Sequence, residues 1–190
     1  MNRQHQHDSV TAVNALTARW AETCTGESVV MAGAGAWPLL AHLASAAEGQ
    51  GRRELQEAVG MDATTASRAA RAVLSIMDGS PAIRSAPGLW SRPNLTLHPA
   101  WITALPAGMH GELTSDPAAD RLRLDAWAAE QTGGLIPAMP LQVIDRTLLV
   151  LAMALTVRTT PRRADHSASR HGCMPPPKPA SCVRAAQDPE

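Results

Sequence analysis

Apolar residues recur every three or four positions through the first part of the chain, with glycines between the runs. Asp8 or Ser9 can cap a helix whose inward face is Val13, Leu16 or Thr17, and Trp20, reaching about Thr23. After the polar turn Cys24 to Ser28, the β-branched pair Val29-Val30 with Met31 reads as a short buried strand, ended by Gly33 and Gly35. Pro38 suits the first turn of a second helix, lined by Leu39, Leu40, Leu43 and Ala47 and closed by Gly49. Arg52 to Val59 predicts a third helix ending at Gly60. Ala63 to Met77 predicts a fourth, with Ala66, Ala70, Val73, Leu74 and Met77 inward.

From Pro81 the pattern changes. Pro81 to Trp90 is poor in helix formers, and Gly88-Leu89-Trp90 looks like part of a strand. Leu95-Thr96-Leu97 alternates weakly before a helical turn over Pro99 to Leu105, and Gly111 to Thr114 predicts another short strand. Ser115 or Asp116 then caps a helix with Pro117 in its first turn, Leu124, Trp127 and Ala128 on one face, and Gly133-Gly134 as its stop. Thr147 to Val157, TLLVLAMALTV, has no polar side chain except its threonines, as strands do in the middle of a sheet covered on both faces.

Composition alters this picture mainly at the end. Residues 161–190 hold six of the fifteen prolines, with only Met174 and Val183 as large apolar residues. Such a segment cannot offset its ordering entropy by burial, and disorder is expected there, as in residues 1–9. The 17 basic and 17 acidic residues balance, which draws the chain toward neither nucleic acid nor an anionic membrane. The longest apolar run, Leu148 to Leu155, is far short of a membrane span, and the N-terminus has no apolar secretory core. By sequence alone a cytoplasmic location is expected. Phe and Tyr are absent, so Trp20, Trp37, Trp90, Trp101 and Trp127 carry the large aromatic volume.

Candidate chemistry is sparse. Cys24, Cys173 and Cys182 cannot all pair, and their spacing fits no thiolate metal site. His5, His7, His166, His171, Cys173 and Cys182 are metal-ligand types, but all fall in segments expected to be disordered. No metal and no cofactor is therefore expected. His110, Ser115 and Asp116 assemble a triad only on paper, without a strained nucleophile turn or an oxyanion loop, so no catalytic residue is assigned. Asn94-Leu95-Thr96 is a glycosylation sequon, meaningful only on a secretory route.

Two stretches carry a resemblance. Leu124 to Ile136, LDAWAAEQTGGLI, resembles the serpin pattern Ile-Asn-x-Trp-Val-x-x-x-Thr-x-Gly-Lys-Ile, with Trp127, Thr132, Gly134 and Ile136 at matching places, Asp125 for Asn and Leu135 for Lys. Thr147 to Val157 is similar to the serpin strand Thr-x-Leu-Val-Leu-Val-Asn-Ala-Ile-Tyr-Phe through Thr147, Leu149, Val150, Leu151 and Ala154, with Met153 in place of Asn. Val29 to Gly60 and Ala86 to Trp90 resemble upstream serpin segments in the same order. Ala32-Gly33 and Gly35 stand where serpins usually carry Ser-Pro and Ser. Past the strand, Arg158-Thr159-Thr160-Pro161 replaces the family's Lys-Gly-x-Trp.

The resemblance implies an α+β partial serpin fold, with N-terminal helices packed on strands of a central sheet, over residues 10–160. The tail, residues 161–190, is then expected to be out of frame, or else a genuine disordered extension. The resemblance also implies a serine protease as partner and an extracellular alternative for location. It assigns no catalysis, since serpins inhibit through a reactive loop that inserts as a strand into the sheet. That loop lies downstream of Thr160 in the family, so a non-inhibitory chain is expected. The alternative is an interaction module that captures a partner, or a second copy, through an exposed strand edge at 148–157.

Overall fold

The computed structural model describes residues 3–24 and 32–159, with side chains from His7 onward. The strand expected at Val29 to Met31 and the disorder expected over 161–190 lie outside the described residues. Six helices and three strands are described, in the order α1 (Arg3–Thr23), α2 (Gly33–Ala46), α3 (Gly49–Val59), α4 (Ala63–Asp78), β1 (Ile83–Ser91), α5 (Pro99–Ala104), β2 (His110–Glu112), α6 (Pro117–Thr132) and β3 (Leu149–Val157). The expected α+β class holds.

Several boundaries differ from expectation, each for a local reason. Residues 3–9 are helical rather than disordered, because α1 begins ahead of Asp8 and Ser9. α2 begins five residues before Pro38, which sits inside the helix. The Gly33 N–H donates to Thr17 Oγ1 at 2.9 Å, so the hydroxyl of α1 satisfies a donor that helix starts leave free. Gly49 does not close α2: Ala47 caps it, and Gly49 opens α3 with φ of 57°, a conformation that glycine takes at least cost. Leu95 to Leu97 forms no strand, since the Leu95 N–H turns back to the Arg92 carbonyl at 3.0 Å.

The sheet runs β2-β1-β3. β1 is parallel to β2 over three residues and antiparallel to β3 over all nine, from Ile83↔Val157 to Ser91↔Leu149. β3 is covered on both faces, as its composition requires, but it lies at the edge of the described sheet and not in its middle.

One face of the sheet meets α1 to α5. Val13 and Leu16 of α1, Trp37 and Ala41 of α2, Val59 of α3, and Ala66, Ala70 and Met77 of α4 form one cluster, against which Ile83, Met153 and Leu155 pack. The Trp37 indole is fully buried and donates to the Val59 carbonyl at 2.9 Å, tying α2 to the end of α3. A second cluster on the same face joins Leu39, Leu89, Trp101, Leu105 and Met109 to Leu149 and Leu151. The opposite face carries Leu113, Leu124, Ala128, Met139, Val143 and Val150. Residues alternate along β3 between these two cores, as a strand's period of two dictates.

Candidate functional site: an uncovered strand edge

The register of β1 against β3 decides which backbone groups remain available. Arg92 N–H donates to Leu148 O at 2.9 Å and Arg158 N–H to Ala82 O at 2.7 Å. Bonded pairs in an antiparallel ladder alternate, so even-numbered residues of β3 face β1 and odd-numbered ones face away. The N–H and C=O groups of Leu149, Leu151, Met153, Leu155 and Val157 thus form an edge about 30 Å long. No strand among the described residues pairs with it.

α6 and the segment after it cover the sheet face beside this edge. Asp116 caps α6 by accepting the Ala118 and Ala119 N–H groups at 2.9 and 3.2 Å, and Gly133 ends it in the left-handed conformation. Trp127 meets Trp90 edge to face, with centroids 4.9 Å apart and planes at 83°. Trp90 in turn lies over glycines: a Cβ on Gly88 would stand 2.2 Å from its ring, and one on Gly111 2.6 Å away. Buried Asp120 takes the Thr114 N–H on both oxygens, at 2.8 and 2.9 Å. Asp125 accepts the Met139 N–H at 2.7 Å and pairs with Arg121 at 3.1 Å, which folds the returning chain back onto the helix. Between this roof and β3 lies an apolar cleft of about 260 Å³, lined by Trp127, Thr132, Ile136 and Met139 above and by Leu151 to Ala154 below.

The residues singled out by motif all fall in this region, each in a packing or backbone role. The buried Thr132 hydroxyl donates to Ala128 O at 2.7 Å and accepts the Ile136 N–H at 3.0 Å, closing the turn at Gly133 and Gly134, whose φ values are 63° and 83°. Thr147 Oγ1 accepts the Ile144 N–H at 3.0 Å just before β3. Leu149 and Leu151 pack toward α2 and α5, while Val150 and Ala154 are buried, Val150 in the core beneath α6.

On the other side of β3, Gly35 in the first turn of α2 lies beneath the strand. A Cβ there would stand 3.7 Å from Met153 Cγ. Two sequence departures separated by more than a hundred positions are therefore neighbours, and neither brings a hydrogen-bonding side chain to the place. Sequence reasoning identified both positions but had no signal that they meet.

The triad assembled on paper does not form. Asp116 is engaged as a helix cap, Ser115 is exposed, and His110 Nε2 lies 3.0 Å from Ser91 Oγ instead. Ser91 is only 4% exposed, which leaves its hydroxyl no approach for a substrate. Among the described residues no group of three or more His, Cys, Asp or Glu could hold a metal ion. His166, His171, Cys173 and Cys182 lie outside the described residues. No described helix is long and apolar enough to cross a membrane.

One buried titratable group was not anticipated from sequence. His42 is 1% exposed, with no hydrogen-bond partner for Nε2 among the described residues. Burial, with the nearby Arg71 charge adding, holds its pKa down at about 4, so it is neutral at pH 7.

Solved structures share this arrangement. A cleaved serpin, Serpin 42Da, superposes with a TM-score of 0.64 at 17% identity over 80% of this chain. AtSerpin1 of Arabidopsis, in its native stressed conformation, superposes with a TM-score of 0.62 at 20% identity over 82%. This chain spans 44% of the length of each. No family model and no curated protein matches the sequence. At these identities the likeness establishes the fold, and that fold is part of a serpin's.

Proposed function

We propose that this chain is a serpin-family protein, whose fold class works as a serine protease inhibitor and not as an enzyme, and that the uncovered edge of β3 is its working surface. The observation that carries the reading is the combination of the partial serpin fold with odd-numbered backbone groups of β3 facing away from β1. Inhibitors of this family add a strand to their central sheet, and an edge without a partner is what strand addition requires.

The 190-residue polypeptide by itself is proposed to be non-inhibitory. Support comes from Gly35 and Met153, neighbours that bring no hydrogen-bonding side chain where the family's hydroxyl and amide would hydrogen-bond beneath the opening sheet. Incubation with trypsin-like and subtilisin-like serine proteases should leave their activity unchanged and give no complex that survives denaturing electrophoresis. A protease-sized covalent adduct would overturn this reading.

A second reading is favoured by exposure along the same region. Leu135, Ile136, Ile144 and Leu148, in the segment from α6 to β3, and Val157, the last residue of β3, are five of the eight large apolar residues exposed among the described residues. On this reading the edge at 148–157 captures a partner chain, or a second copy, without catalysis. Protection of 148–157 from proteolysis by a stoichiometric partner would favour it over a serpin fold that engages no partner.

A further inference from the structure

β1 is covered on its outer side only at its far end. β2 pairs with Leu89, Trp90 and Ser91 alone. The bonds from Leu89 N–H to Met109 O and from Leu113 N–H to Ser91 O show that odd-numbered residues of β1 direct their backbone groups to this side. Ser85 and Pro87 share that orientation. The Ser85 N–H and both carbonyls, which no described strand pairs, form the floor of an open cleft of about 600 Å³, a volume typical of ligand sites. Pro87 sits here without loss of a ladder bond, since it has no N–H to offer.

The walls give the cleft a polarity. Arg71, Leu74, Ser75 and Asp78 recur at three- and four-residue spacing, so they share one face of α4, with Arg71 and Asp78 two turns or about 10 Å apart. Asp78 lies at the lower end, where its Oδ1 accepts the Ser85 hydroxyl at 2.9 Å. Arg71 lies at the upper end, with Nη1 a loose 3.4 Å from Ala104 O, near the turn that leads into β2. Neither pairs with an opposite charge among the described residues. Leu74 stands between them, facing Trp127 and Gln131 of α6 across the cleft.

We propose that this cleft binds a short, extended peptide of about three residues with free ends, which spans about 10 Å. Its ammonium group meets Asp78 and its carboxylate meets Arg71. That polarity sets the peptide parallel to β1 and in line with β2, with the Ser85 N–H and C=O bonding its backbone and an apolar central side chain turned to the Trp127 face. The reversed orientation puts like charges together at both ends. The site lies on the opposite side of β1 from β3 and is independent of the serpin reading.

The test is calorimetric titration of the 190-residue chain with Ala-Leu-Ala carrying free ends, with its N-acetylated form and with its C-terminal amide. Blocking either end should weaken binding several-fold, and raised salt should weaken the free peptide. In Arg71→Gln the acid and the amide should bind alike. In Asp78→Asn, which keeps an acceptor for the Ser85 hydroxyl, the free and acetylated amines should bind alike. Three results overturn the proposal: no binding at millimolar peptide by a chain whose circular dichroism shows it folded, equal binding of blocked and free peptides, or binding that neither variant alters.

Discussion

His42 shows how one residue can couple the fold to pH. Its carbonyl accepts the buried Trp101 indole N–H at 3.0 Å, which ties α5 to α2, while its own Nε2 has no partner among the described residues. The folded state therefore disfavours the charged ring, with its pKa near 4 against 6.5 when unfolded. Stability from this group is fully present above pH 6.5, where both states are neutral. It is lost as pH falls toward 4, because only the unfolded chain takes up the proton, a loss of about 3 kcal/mol across that window. His42→Leu should flatten the difference from wild type between pH 6.5 and 4 in urea titrations. An unchanged slope would show that another group sets it.

Gly33 is bound to its residue type by contact rather than by φ. A Cβ there would stand 2.2 Å from Thr17 Oγ1 and 2.5 Å from the Val13 carbonyl, and the latter, being backbone, cannot rotate away. Gly33→Ala should cost about 1 to 3 kcal/mol, read as a lower urea midpoint at constant slope. The same geometry explains why Pro, which the family resemblance leads one to expect at this position, has no place. The Gly33 N–H is already committed to Thr17.

At the scale of elements, α6 is held at three points. Asp116 caps its start, Trp127 meets Trp90 at its middle, and Thr132 with Gly133 closes its end. Asp116→Ala should cost about 1 kcal/mol. Trp127→Ala should cost about 2 to 3 kcal/mol, since the ring is half-buried and forfeits its aromatic partner as well as area. Thermal unfolding of both variants would check the order. A larger loss for Asp116→Ala would place the anchor at the cap. Much of α6 was legible in the sequence: the Asp-Pro start and the Gly-Gly stop act within a turn of themselves. The start of α2 was not, because the group that satisfies Gly33 comes from α1, sixteen residues away.

For the whole molecule, the proposed capture of a second copy draws on the bareness of the β3 edge. Nine consecutive residues carry no charge, no proline and no bulge, the devices that keep edge strands from pairing. Val157→Lys places a charge at the most exposed residue of the strand, 61% exposed, without removing a bond to β1. It should shift the chain toward monomer in light scattering at unchanged circular dichroism. Equal association of variant and wild type would mean that another surface drives it.

Local rules determined where α3, α4 and α6 lie, which residues turn inward and that Leu149 to Val157 is a strand, because caps, glycines and periodicity act over a few residues. The same rules spoke of β3 as a central strand. A strand's composition reports whether its faces are covered, and says nothing of whether its edges are paired. The antiparallel register with β1, the outward set of backbone groups, the meeting of Gly35 with Met153 and the burial of His42 depend on contacts between distant segments. Only the tertiary structure decided them.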